Sequence, residues 1–170
     1  MFDDELLSLA RALGKALQAG NKKLAVAESC TGGLLAGLIT DIAGSSEWFD
    51  CGIVSYSNQS KIRLLGVQAQ TLDAFGAVSE QTAAEMAHGA LQRSSSDIAI
   101  SITGIAGPSG GTAAKPVGTV CFGWIGAGLP ASTSTEHFAG DRSQVRLQAV
   151  KAAVMKLMAA LESSNLQDKS

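Results

Sequence analysis

The 170 residues suit one domain, which at this size buries ~70% of the surface its unfolded chain exposes. With 46% hydrophobic and 16% charged residues, against ~25% charged on average, the chain is too apolar to stay disordered. Its 13 basic and 15 acidic side chains leave a formal net charge of −2, without the basic excess of a general nucleic-acid binder, and 5% aromatic residues are too few for a platform that stacks single strands.

Met1-Phe2-Asp3-Asp4-Glu5 is acidic where a secretory signal would be basic. From Asp3, Leu6, Leu9, Ala10, Leu13, Ala16 and Leu17 recur at helical spacing up to Gly20, which predicts a first helix over 3–19. Leu24 to Glu28 reads as a buried strand, and Leu34 to Ala43 as a helix stopped by Gly44. Cys51 to Ser57 is a second strand and Asn58 to Leu65 a short helix. Ser79 caps a helix from Glu80 to about Gln92 that buries Ala83, Met86, Ala87, Ala90 and Leu91. Asp97 to Thr103 is apolar enough for a central strand. Val117 to Ile125 and Ser132 to Phe138 are two more strands, joined as an antiparallel hairpin through Gly126-Ala127-Gly128-Leu129-Pro130. Asp141 caps a last helix to about Leu161, with Leu147, Val150, Val154, Leu157, Met158 and Leu161 as its buried stripe.

This order specifies an α/β protein: a three-layer α/β/α sandwich with a mixed, partly parallel sheet of about five strands. Residues 1–162 form one domain, and the polar tail 163–170 is expected to fray. The longest uncharged stretch, 116–135, holds two prolines and four glycines and reads as strands and a turn, so no membrane span is expected. Cys30, Cys51 and Cys121 are odd in number and form no C-x-x-C pair, which argues against a disulfide framework or a cysteine zinc site and for a reducing cytoplasm.

Ligands of such sheets bind beyond the carboxyl ends of the parallel strands, and the informative loops follow strand ends. Ala27-Glu28-Ser29-Cys30-Thr31-Gly32-Gly33 puts a serine at the sheet edge before a helix N-terminus, whose amides favour a phosphate or a developing oxyanion. Ser29 or Thr31 as a plain helix cap is the competing reading. Cys30 reads as a small buried thiol or as a rival nucleophile. In Tyr56-Ser57-Asn58-Gln59-Ser60-Lys61, a strand-helix-strand crossover brings the loop beside the first one. His88, on the polar side of a helix, and His137, in an outer strand, are poor partners for a serine. Lys61 with a pKa lowered by burial is the alternative base, and Tyr56 a group that could relay a proton. Lys61 as a solvated cation stays open. Thr103-Gly104-Ile105-Ala106-Gly107-Pro108-Ser109-Gly110-Gly111 is either an amide-rich ligand loop or a flexible turn. Arg142, with Arg146 one turn later, is placed to grip a phosphate or carboxylate, or else is exposed beside its N-cap aspartate.

Together, Ala-Glu-Ser-Cys-Thr-Gly-Gly at 27–33, Tyr-Ser-Asn-x-x-Lys at 56–61, Gly-Ala-Val-Ser at 76–79, Thr-Gly-Ile-Ala-Gly-Pro-x-Gly-Gly at 103–111, Lys-Pro-Val-Gly-Thr-Val at 115–120 and Gly-Asp-Arg at 140–142 resemble the C-terminal domain of CinA, the competence-damage-inducible protein family. The likeness covers nearly the whole chain. The N-terminal molybdopterin-binding-like domain of longer members has no counterpart here, so a stand-alone enzyme is expected. The family includes nicotinamide-nucleotide amidases, which deamidate nicotinamide mononucleotide within pyridine-nucleotide recycling. The resemblance implies a small-molecule nucleotide substrate and Ser29 as nucleophile, with Lys61 and Tyr56 as activating partners. It implies no metal and no organic cofactor, and nucleic acid and membrane are not expected partners. Homo-oligomers are left open. The loops supply the expected substrate contacts: Cys30, Thr31, Gly32, Gly33, Asn58, Thr103, Gly104, Ala106, Gly107 and Arg142. Amides of the 30–33 turn or the Thr103 hydroxyl are the expected oxyanion donors. The competing readings are a nucleotide-binding module without catalysis and a thiol enzyme using Cys30.

Overall fold

The first predicted helix forms as α1, Asp4–Ala19, and the Leu6 N–H donates to its cap, the Asp3 carboxylate, at 2.8 Å. The computed structural model describes residues 2–167; the end of the expected frayed tail, 168–170, lies outside the described residues. β1 (Leu24–Glu28) is buried along its whole length, as an inner strand of a parallel sheet should be. Helix α2 spans Leu34–Thr40, shorter than predicted, because the Ile42 N–H turns back to the Ile39 carbonyl ahead of Gly44. A 3-10 turn at Ser45–Glu47 then leads into β2, Phe49–Val54. α3 follows at Asn58–Leu65, as expected. Its first turn is closed reciprocally by Ser57 and Ser60.

α4, Ala69–Phe75, is an element without a counterpart among the predicted ones; it is short and lacks a side-chain cap. α5 spans Glu80–Gln92 with Ser79 accepting from the Thr82 N–H. Its predicted buried face is present, with Leu91 only partly buried. β3 covers Ile98–Gly104, β4 Thr119–Gly126 and β5 Leu129–His137. The hairpin between β4 and β5 is tighter than the five-residue connection expected. Gly126 pairs with Leu129, so only Ala127 and Gly128 turn, and Pro130 sits in an edge strand where its missing N–H costs nothing. The last helix, α6, runs Arg142–Gln167, past the predicted end near Leu161. Its inner face is Val145, Ala149, Val150, Ala153, Val154 and Leu157. Leu147, expected inside, is exposed, because the buried stripe passes through 145 and 149 instead.

The sheet order is β2-β1-β3-β4-β5. β2, β1 and β3 are parallel, and β4 and β5 add antiparallel to them, giving the mixed five-stranded sheet expected. α1, α2 and α6 cover Val26, Ile100, Ile102 and Phe122 on one face. α3, α4 and α5 cover Ala25, Ala27 and Ala99 on the other. That second face is lined with small residues, so its helices lie close. Gly89 of α5 marks the tightest approach: a Cβ there would stand 1.8 Å from the Leu65 carbonyl oxygen at the end of α3. Among the described residues no helix is long and apolar enough to cross a membrane.

The register sets up the site. Glu28 is level with Val54 on one side and Ile102 on the other, so the next residues, Ser29, Ser55 and Thr103, stand side by side at the carboxyl edge of the parallel strands. Gly89→Ala should push α3 away from α5. A clash with backbone cannot be relieved by a rotamer change, and overpacking of this kind costs ~3 kcal/mol. Thermal unfolding followed by circular dichroism should show a midpoint roughly 6–12 °C lower.

Candidate active site

Strand alternation sends Ala25, Ala27 and then Ser29 toward α3, and Val26 and Glu28 toward α2. Ser29 is fixed by its N–H, which donates to the Ile102 carbonyl at 2.9 Å, and is 7% exposed. Lys61 reaches it from the first turn of α3. Its Nζ donates to Ser29 Oγ at 2.9 Å and to the Ser55 carbonyl at 2.8 Å, with the side chain 1% exposed. Burial lowers the Lys61 pKa from 10.5 to about 8. A lysine in this state and contact can take the serine proton.

Glu28 faces the other way. Its buried carboxylate accepts from the N–H groups of Gly33 and Leu35 at 3.1 Å and of Ala36 at 2.9 Å, occupying the N-terminus of α2. Within the motif Glu28 has no role that its sequence neighbours announce; the available signal is a carboxylate ending a buried strand just before a helix start. Its position also changes the reading of the turn. The Gly33 N–H is committed to Glu28, and the Gly32 N–H donates to the Ser29 carbonyl at 3.0 Å. Gly32 and Gly33 therefore do not offer their amides to a ligand, leaving those of Cys30 and Thr31. The Thr103 hydroxyl donates to the Ala77 carbonyl at 2.7 Å, so its proton is not free for an oxyanion.

A cavity of about 320 Å³ opens above the Ser29–Lys61 pair, at the small end of the ~300–1,000 Å³ of ligand sites. The structure brings Ser29, Cys30, Tyr56, Lys61, Thr103, Gly104, Ala106, Gly107 and Arg142 to its wall, together with Ala77, Val78, Ile105, Ser109 and Gly110. Thr31, Gly32, Gly33 and Asn58 do not line it; Thr31 is buried, while Gly32 and Asn58, the latter on the first turn of α3, are exposed. Ala77 and Val78 were flagged only through the Gly-Ala-Val-Ser motif; the chain reversal at Gly76, with φ +78°, carries them in. Arg142 spans the mouth, donating to the Gly107 carbonyl at 2.8 Å and to the Tyr56 hydroxyl at 3.0 Å. Tyr56 is 63% exposed, so it belongs to the rim. Cys30 is buried beside Ser29, and that burial pushes its thiol up to about 11. His88 and His137 are exposed and do not line this cavity.

The model of the CinA C-terminal domain family matches residues 6–161. A nicotinamide-nucleotide amidohydrolase PncC of Enterobacter agglomerans is 53% identical over 161 residues, 95% of this chain and 96% of its own. A protein of the same name from Escherichia coli strain K12 is 50% identical over 157 residues, 92% of this chain and 95% of its own. The crystal structure of a competence/damage inducible protein, CihA, from Agrobacterium tumefaciens superposes with a TM-score of 0.91 at 43% identity, over 94% of this chain and 98% of that one.

Chemistry that needs neutral Lys61 should follow its titration: kcat/KM should rise with pH and level off above about 8, read from initial rates between pH 6 and 10. Folding lowers the Lys61 pKa, so the unfolded chain binds this proton more tightly. The group therefore disfavours the folded state below about pH 8, and the penalty fades as pH rises toward 10.5. Lys61→Met should raise the melting temperature at pH 7 while removing activity, and the gain should shrink at pH 10.

Proposed function

The chain belongs to the CinA C-terminal domain family, and we propose that it hydrolyses the carboxamide of nicotinamide mononucleotide to nicotinate mononucleotide and ammonia, with Ser29 as nucleophile and Lys61 as base. The observation that carries this reading is the 2.9 Å contact between Lys61 Nζ and Ser29 Oγ at a cavity of about 320 Å³. The amidohydrolases that match at 50–53% identity over nearly their full length support the substrate.

Neutral Lys61 takes the proton of Ser29 as Oγ attacks the carboxamide carbon. The N–H of Cys30, which lines the cavity, donates to the carbonyl oxygen as it gains charge. The tetrahedral intermediate then expels the amide nitrogen, to which the Lys61 ammonium returns the proton, releasing ammonia and leaving an acyl ester on Ser29. Lys61 next takes a proton from water, whose oxygen attacks the ester carbon, and the proton passes to Ser29 Oγ as the acid leaves. Tyr56 sits at the rim beside Arg142, so Lys61 rather than Tyr56 serves the leaving group. Arg142 and the Gly104–Gly111 loop, at the mouth, take the phosphate and ribose. The enzyme works in the cytoplasm, a setting suited to the free thiols of Cys30, Cys51 and Cys121.

Purified protein should release ammonia from nicotinamide mononucleotide, and Ser29→Ala should lower kcat by roughly 10⁴-fold or more with the fold intact. A variant that keeps a tenth of the activity would exclude the covalent route. Lys61→Ala and Lys61→Arg should be equally inactive, because arginine keeps its proton. A Lys61→Arg enzyme that turns over with only a raised KM would instead make Lys61 a binding residue. Among the described residues no three His, Cys, Asp or Glu side chains are grouped to hold a metal ion, and incubation with EDTA should leave the rate unchanged.

A further inference from the structure

The structure assigns Arg146 as the positioning residue of the nucleophile turn, an inference that rests on Ser29 being the nucleophile. The turn that follows Ser29 has little stiffness of its own. Gly32 and Gly33 are consecutive residues with positive φ, +59° and +96°, and glycine restricts its backbone less than any other residue. Such a turn holds one geometry only if other elements tie it down. One tie comes from inside, Glu28 on the amides of α2. The other comes from 115 residues away.

Arg146, one turn into α6, donates from Nη2 to the Thr31 carbonyl at 2.8 Å. That carbonyl belongs to the same peptide unit as the Gly32 N–H, which donates to the Ser29 carbonyl at 3.0 Å. The peptide unit is planar, with C=O and N–H pointing in opposite directions. Holding the oxygen outward toward α6 therefore holds the N–H inward on Ser29. Arg146 thus fixes the plane that fixes Ser29, and through it the contact of Oγ with Lys61. The guanidinium also packs on the turn, with Nη2 3.5 Å from where a Cβ on Gly32 would lie. It does not line the cavity, which separates its task from that of Arg142 one turn earlier.

The experiment compares wild type, Arg146→Met and Arg146→Lys by steady-state kinetics on nicotinamide mononucleotide and by the rate at which phenylmethylsulfonyl fluoride labels Ser29, located by peptide mass spectrometry. Arg146→Met should lower kcat and the labelling rate together by about 10–100-fold, the scale expected when a reacting group is misplaced, with KM held within about threefold. Arg146→Lys, which keeps one donor, should recover most of both. If Arg146→Met does not fold, Arg146→Gln, whose amide is too short to reach Thr31, replaces it under the same criteria. A wild-type labelling rate in the folded variant, a loss carried by KM, or no recovery in a folded Arg146→Lys each overturns the assignment. Wild-type enzyme that is never labelled at Ser29, joined to an active Ser29→Ala, overturns the nucleophile itself, and is thereby distinct from a failure of Arg146 alone.

Discussion

An amine kept out of water is the constraint on which the rest of the site depends. Lys61 is 1% exposed, and both acceptors of its Nζ, Ser29 Oγ and the Ser55 carbonyl, are uncharged. Among the described residues the ion pairs are Lys151 with Glu5 and Lys156 with Glu136, both elsewhere. A buried ammonium without a carboxylate gives up its proton more readily, which suits Lys61 to the role of base proposed for it. The lysine sits this deep because α3 does, and α3 sits this deep because Gly89 of α5 has no Cβ where the two helices meet. A packing detail on the far side of the helix thus bears on an acid–base property at the sheet edge.

The pleat of β1 supplies the second half of that arrangement. Glu28 and Ser29 are neighbours in sequence, and an acid next to the base would hold Lys61 protonated as an ion pair. Alternation puts them on opposite faces of the sheet, and three amides of α2 then satisfy the carboxylate. The same hydrogen bonds occupy the helix N-terminus, otherwise the natural seat for an anion. In the proposed function a substrate phosphate is therefore left to the mouth of the cavity, where Arg142 bridges the Tyr56 and Gly107 loops.

Much of this was legible in the sequence, and what was not has physical reasons. The helical spacing of α1, the caps at Asp3 and Ser79, and the apolar runs of β1 and β3 each carry a local signal, and the elements follow them. The order of strands and helices was enough to bring the Ser29 and Lys61 loops to one edge. α4 was missed because seven residues without a cap show too little periodicity. The hairpin was drawn too loosely because Pro130 reads as a turn residue unless the strand is known to lie at the edge. The amides of Gly32 and Gly33, expected to be open to a ligand, are instead bonded within the protein. A glycine-rich turn announces available amides, but whether a ligand or the protein takes them is decided by a side chain whose direction only the pleat reveals. Thr103 is a similar case, its proton spent on Ala77 across the sheet edge. Arg146 could be noticed from its spacing, but its partner is a backbone carbonyl, which has no sequence signature.

Ser29 and Cys30 stand side by side at the same cavity, and the thiol is intrinsically the stronger nucleophile once ionised. Desolvation decides between them. Burial penalises whichever form of a group carries charge. For Lys61 that is the protonated form, so its pKa falls to about 8. For Cys30 it is the deprotonated form, so its pKa rises to about 11. One dry environment therefore creates a base and silences the neighbouring thiol at the same pH. Burial outweighs the pull of Lys61 and Arg146 on the thiol, and the Lys61 amine donates to Ser29 Oγ rather than to the sulfur. A serine does not depend on prior ionisation, since in the proposed mechanism its proton is removed in the act of attack by the lysine it already touches. In the proposed mechanism the chemistry falls to the weaker nucleophile because a dry floor favours a proton acceptor over a pre-formed anion.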